Sequence, residues 1–268
     1  MKQIKIFLLT ITFILISFVS VFAKNEVYDL NYVLQLKGGF PYTIEQYAKE
    51  QGMTLEHFLY LENHSSYSIL EDDLKKIYEI RLKQIKPDSN TLMQKLVTLG
   101  KMEKYLNGDI KSPQGFISVC ADLVHCRTVA DFYYTLRMDY PHTEYSPDDE
   151  AIGIIRFKAS NLDKCFIPFN KNLGGTYESP YPFPFTGHGF TAGGNGRWGS
   201  PEWVILEPVK LLKGSAIFEL RKDGTEILRG IYDEKLKKFK RVKWKTIYCT
   251  KKELHFLKHW YRLLYLAL

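Results

Sequence analysis

Between Gly187 and Trp203 six glycines crowd around His188, Arg197, Trp198 and Glu202. Glycine gives up the most backbone freedom on folding, so such density belongs where a chain turns sharply or approaches another group closely. The aromatic residues argue against a flexible linker, and the stretch reads as the wall of a site. Further upstream, Ile154-Ile155-Arg156-Phe157 sets an arginine inside an apolar strand. A guanidinium there must meet an anion, bidentately for preference, or an internal acid. Between these features lie Gly174-Gly175-Thr176 and a proline-aromatic run from Ser179 to Phe185.

Two kinds of chemistry fit this inventory. His188, Glu202 and Arg156 could serve as acid, base and phosphate-binding cation of a metal-independent ribonuclease. The basic run from Lys235 to Lys245, with Trp244, would then follow an RNA backbone. A dinucleotide substrate needs a cation, close backbone N–H groups and a carboxylate wherever positive charge develops. Serine-hydrolase chemistry has no support, since no Gly-x-Ser-x-Gly elbow surrounds Ser179 or Ser200. His255 and His259 lack the glutamate of a His-Glu-x-x-His zinc helix, and no metal is expected.

Arginine on a strand, a Gly/Thr segment, an aromatic loop and a glutamate beside a strand follow one another from Arg156 to Glu202. That order resembles bacterial ADP-ribosyltransferase toxins. The wording of Phe185-Thr186-Gly187-His188-Gly189-Phe190-Thr191-Ala192 is similar to C-terminal domains of polymorphic toxins. The resemblance implies NAD as substrate. Arg156 would grip its phosphates, Thr176 or Thr191 would brace the site, and Phe190 or Trp198 would stack on nicotinamide. Glu202 would stabilise the ribosyl cation. Ser200 stands two positions before Glu202, where those transferases carry another acid, which favours NAD hydrolysis over transfer to a protein. A protein acceptor and an immunity protein are further partners of such toxins.

The elements that must hold these residues follow from length and patterning. The chain has 268 residues, 45% of them hydrophobic and 25% charged, which excludes a disordered polymer. A net charge of +7 suits an anionic partner such as a dinucleotide, a nucleic acid or an acidic wall polymer. Residues 1–23 read as a secretory signal peptide: Lys2 and Lys5, an apolar run from Ile6 to Val19, then Val21-Phe22-Ala23 at the cut. The expectation is a secreted or periplasmic bacterial protein with no further membrane span. In that setting Cys120, Cys126, Cys165 and Cys249 form disulfides or remain buried thiols.

The expected fold class is α+β: a helical N-terminal module over 24–110, then a strand-rich, mostly antiparallel α+β domain over 111–268 with the candidate cleft. Thr43 with Gln46 suggests a capping box, and Thr54 opens a second helix through Leu55, Phe58, Leu59 and Leu61. Residues 42–63 resemble the helix-turn-helix core of a LysM module, whose last strand would lie near Asp72 to Ile80. That resemblance implies peptidoglycan binding, and an exported wall-binding protein without catalysis is the alternative reading of the whole chain. Leu92, Leu96, Leu99 and Met102 predict one helix from Thr91 to Leu106, and Thr128 with Asp131 caps another. Strands are expected at 151–158, 165–168, 203–207, 215–221, 226–232 and 239–248, and an amphipathic segment over 251–268.

Overall fold

The computed structural model describes residues 27–175 and 184–242. The expected signal peptide, Thr176, Cys249, most of the proline-aromatic run, Trp244 and the segment 251–268 lie outside the described residues.

Among the described residues six α-helices and seven strands build an α+β fold. Helix α1 (Leu30–Leu34) precedes α2 (Phe40–Glu50), α3 (Leu55–Glu62) and α4 (Glu71–Leu82). Strand β1 (Met93–Val97), helix α5 (Leu99–Asn107), strand β2 (Gly115–Val119) and helix α6 (Val129–Thr135) follow. The remaining strands are β3 (Ala151–Phe157), β4 (Trp203–Ile205), β5 (Ala216–Arg221), β6 (Glu226–Asp233) and β7 (Lys238–Arg241). They form a seven-stranded sheet in the order β4-β2-β1-β3-β5-β6-β7, and every paired neighbour is antiparallel.

Alternation along the strands feeds two apolar layers. One holds Met93, Val97, Ile117, Ile155 and Ile217 against Met102, Tyr105 and Leu106 of α5. The other holds Leu96, Ile152, Ile154, Phe218 and Leu220 with Val129 and Phe132 of α6. The sheet is therefore buried on both faces. Helices α2, α3 and α4 make a third layer around Phe40, Ile44, Phe58, Ile77 and Ile80, and Phe190 belongs to it.

The strand expected at 165–168 is only an isolated bridge between Phe166 and Val204, and three further expectations need correction. The single helix over 91–106 is a strand, Met93–Val97, followed by the shorter α5. Leu92 and Leu96 do keep helical spacing with Leu99. Thr98, however, caps α5 through the Lys101 N–H, and β1 pairs with a neighbour on each side. The segment Lys86-Pro87-Asp88-Ser89-Asn90, which reads as a joint in the sequence, connects α4 to β1. Second, no cap forms at Thr43. Helix α2 starts at Phe40, and its first N–H is capped by Asp122 Oδ1 at 2.8 Å, from 82 residues away. Third, residues 71–82 are α4, so the place of the final LysM-like strand is helical.

The caps at Thr54 and at Thr128 with Asp131 form as the spacing predicts. Cys120, Cys126 and Cys165 are free buried thiols, and Cys120 with Cys126 makes no staple. None of the described helices is long and apolar enough to cross a membrane.

Candidate functional site

The glycine-rich stretch is a buried plug between the helical layer and the sheet. Phe190 is fully buried and meets Phe40 at 5.5 Å and Phe58 at 5.4 Å between ring centroids. Trp198 packs against the same cluster, half-buried. Ser66 N–H donates to the Thr186 carbonyl at 2.8 Å, and the Gly199 N–H reaches Glu62 Oε2 at 3.1 Å. Gly189 has φ +86°, and a Cβ there would lie 2.9 Å from the Arg81 side chain. Its glycine serves that close approach, not a ligand.

His188 belongs to this plug. It is fully buried, and Nε2 lies 3.1 Å from the His64 carbonyl oxygen. Burial pushes its pKa down to about 4, so the neutral ring donates from Nε2. It has no access to substrate, and its assignment as a catalytic acid or base is withdrawn. Phe190 likewise cannot stack on nicotinamide.

Arg156 meets the internal acid rather than a ligand. Its Nη1 and Nη2 donate to the two Glu226 carboxylate oxygens at 2.6 and 2.5 Å. The guanidinium also covers the Phe218 ring at 5.0 Å. With the fork occupied and the side chain 1% exposed, no phosphate can reach it. Arg156, His188 and Glu202 therefore do not converge, which removes the ribonuclease assignment as well as the phosphate role of Arg156.

A cavity of about 600 Å³ opens elsewhere, where the sheet forks. Strands β1 and β2 pair only at Met93↔Val119 and Gln94↔Ser118, and beyond that point they separate. Lys95 Nζ spans the gap to the Phe116 carbonyl at 3.1 Å. Gln94, Lys95 and Leu96 of β1 line the cleft with Phe116 and Ser118 of β2. Arg137, Tyr140 and Tyr145 close it on the α6 side, and Phe185, Thr191, Glu202 and Trp203 on another. Of the residues singled out from sequence, the cleft brings together Glu202 and Thr191.

The polar groups of this cleft are poorly matched within the protein. Glu202 is 9% exposed, and burial raises its carboxyl to about 7, with Arg81 pulling the other way. No described side chain hydrogen-bonds that carboxyl. Burial lowers the Lys95 amine to about 8, and no carboxylate among the described residues pairs with it. Gln94 Nε2 and Trp203 Nε1 are buried without partners. An unmatched buried donor costs roughly 1–3 kcal/mol. Thr191 differs: its hydroxyl donates to the Thr135 carbonyl at 2.6 Å and accepts from Ser200 N–H at 2.7 Å, so it braces the wall.

Aromatic rings line the mouth. Phe116 stacks on Phe185 at 5.0 Å with 24° between planes, and Phe169 meets Phe185 at 4.3 Å. Arg137 stands at φ +48°, a strained conformation for a non-glycine residue, with its guanidinium forked onto Asp139 at 2.8 and 3.1 Å. The signal for Gln94, Lys95 and Ser118 was present in the sequence as polar residues inside two apolar runs. Reading the first run as a helix concealed it.

No group of three or more metal-ligating side chains occurs among the described residues. No protein-family model, curated protein or solved structure matches the chain.

Proposed function

We propose that the cleft at the β1–β2 fork binds NAD and that Glu202 promotes cleavage of the bond between nicotinamide and ribose. The observation that carries this reading is the Glu202 carboxyl itself, nearly buried in an aromatic-lined cleft and engaged by no described side chain. A carboxylate so placed is available for charge that develops in a transition state. Ser118 and Gln94 supply hydrogen-bonding groups to the same space. In place of Arg156, the half-buried Lys95, held by a carbonyl and by no carboxylate, offers the positive charge for a phosphate.

In the step proposed, the glycosidic C–N bond breaks and its electron pair leaves with nicotinamide as a neutral base. The ribosyl C1′ becomes cationic beside the Glu202 carboxylate. Water adds to C1′ and loses a proton to that carboxylate, which yields ADP-ribose. An acceptor nucleophile in place of water gives ADP-ribosyl transfer. With residues 1–23 as a leader, the protein would act outside the cell as an exported effector.

A second reading is favoured by the stacked rings at the mouth and by the engagement of Arg156 with Glu226 and of His188 with the His64 carbonyl. On that reading the cleft binds a planar or sugar ligand, such as a wall glycan, without turning it over.

Nicotinamide release from NAD by the chain beginning at Lys24 separates the two. Release that disappears in Glu202→Gln is the expected result. Absence of release by the wild-type chain, with peptidoglycan retained, would favour the binding reading.

A further inference from the structure

Arg81 is the one guanidinium that joins the helical layer to Glu202, and it is not part of the cleft wall. It projects from the last turn of α4 and is 1% exposed. Its Nη2 donates to the Glu202 carbonyl at 2.7 Å, and its Nε donates to the Gly189 carbonyl at 2.7 Å. The Gly189 oxygen also accepts the Glu202 N–H at 2.9 Å. Both backbone ends of Glu202 are thus tied, directly or through one shared oxygen, to the same side chain. The guanidinium lies over the Trp203 ring, 4.4 Å from its centroid, which fixes the residue that follows.

No carboxylate takes the fork of Arg81. Two carbonyl oxygens do, and burial lowers its pKa only to about 10, so it remains charged at neutral pH. A buried cation balanced by backbone dipoles is costly to retain for stability alone, since an apolar side chain of similar volume would serve packing as well. Its field reaches Glu202 and Asp122, where it favours the ionised carboxylate.

We propose that Arg81 is a positioning residue for Glu202. It fixes the backbone from which the carboxyl enters the cleft and favours its ionised form, so the helical layer is a working part of the site. The proposal rests on the NAD reading for its catalytic meaning, but its geometric core does not.

Other charged groups bear on Glu202 and must stay constant in the test. Lys95 from β1 and Arg137 after α6 line the same cleft. Asp122, in the turn after β2, shares the field of Arg81. His188, neutral above about pH 4, and Glu62, beside Gly199, belong to the plug.

The test compares Arg81→Gln and Arg81→Lys with the wild type by the pH profile of nicotinamide release and by carbon NMR titration of the Glu202 carboxyl. In Arg81→Gln the carboxyl should titrate about one pH unit higher. The acid limb of kcat should follow it, and KM should change far less than kcat. Arg81→Lys keeps charge but replaces the planar fork with a single, shorter ammonium that no longer holds both carbonyls in place, so its titration should return toward the wild type while kcat stays low. Should Arg81→Gln fail to fold, Arg81→Lys carries the decision through that split between titration and kcat. Unchanged titration and kcat in a folded variant would overturn the proposal, as would a loss of stability alone. If the wild type releases no nicotinamide, the NAD reading fails, and the carboxyl titration still decides whether Arg81 governs Glu202.

Discussion

The glycine-rich plug and the forked cleft meet at Thr191, Pro201 and Glu202, yet one is filled by side chains and the other stays open. In the plug, His188, Thr186, Ser66, Gly199 and Arg81 have partners, and a phenylalanine fills the centre. In the cleft, Gln94 Nε2 has no partner, the Lys95 amine has a carbonyl but no carboxylate, and a volume of about 600 Å³ stays open. Dense glycine, histidine and tryptophan mark a joint here, and a sparse glutamine and lysine mark the cleft. The difference teaches that an open volume beside an unengaged carboxyl points to a ligand more reliably than a conspicuous sequence does.

The largest expected effect falls on the plug. Phe190→Ala removes a fully buried ring from the centre of the helical layer and should cost about 3–5 kcal/mol of stability. Chemical denaturation measures it. A loss below about 1 kcal/mol would mean that the helical layer does not depend on the plug, and the contrast with the cleft would fail.

Next comes Glu202→Gln, which tests the other side of the comparison. Its backbone bonds to Arg81 and Gly189 survive the change, so the fold should persist, with an unfolding midpoint at neutral pH no lower than that of the wild type. Nicotinamide release should fall at least ~100-fold, about 3 kcal/mol of transition-state stabilisation. The same carboxyl, raised to about 7, must be ionised to act, so release by the wild type should decline as pH falls through about 7. A flat profile between pH 6 and 8 would sharpen the non-catalytic reading instead.

How much of this was legible in the sequence depends on the kind of signal. Strands β3, β5 and β6 announced themselves through apolar alternation bounded by turns, and Glu202 stood out beside β4. Strand β1 did not, because the leucines at 92, 96 and 99 repeat at helical spacing and only pairing to β2 and β3 reveals the strand. Arg156 was correctly seen as a cation in an apolar strand. Glu226, its partner 70 residues away, could be assigned only once β5 and β6 were in place. The cleft itself is a property of two strands that stop pairing, which no local pattern records.

A smaller effect links the plug to pH. Burial raises Glu62 to about 8, and Asp122 and Glu202 to about 7. Each therefore holds a proton in the folded protein over a range where the unfolded chain has lost it. Stability from these groups is present at acid pH and is lost as pH rises through that range. His188, lowered to about 4 from 6.5, acts oppositely, adding stability as pH rises between those values. Three carboxyls outweigh one imidazole, so the unfolding temperature should fall from pH 5 to pH 8, most steeply just above 6.5. Between pH 7 and 8 the decline belongs to Glu62, and Glu62→Gln should flatten it. An unfolding temperature that climbs over this range would show that the plug accepts charge freely.

Phe116→Ala should have the smallest effect on stability and is the cleanest counterpart to Phe190→Ala. Phe116 is 45% exposed and stacks on Phe185 at the cleft mouth, whereas Phe190 is fully enclosed. Removing a half-exposed ring forfeits part of its burial and one stacking contact, so the stability loss should stay near 1 kcal/mol. Ligand binding should suffer more than stability, with KM for NAD rising severalfold and kcat little changed, because a ring at the mouth holds bound substrate and transition state alike. A ring that mattered equally to stability and to binding would erase the distinction between plug and cleft. A rise in KM alone confirms that the two phenylalanines, alike in sequence, serve the closed and the open region.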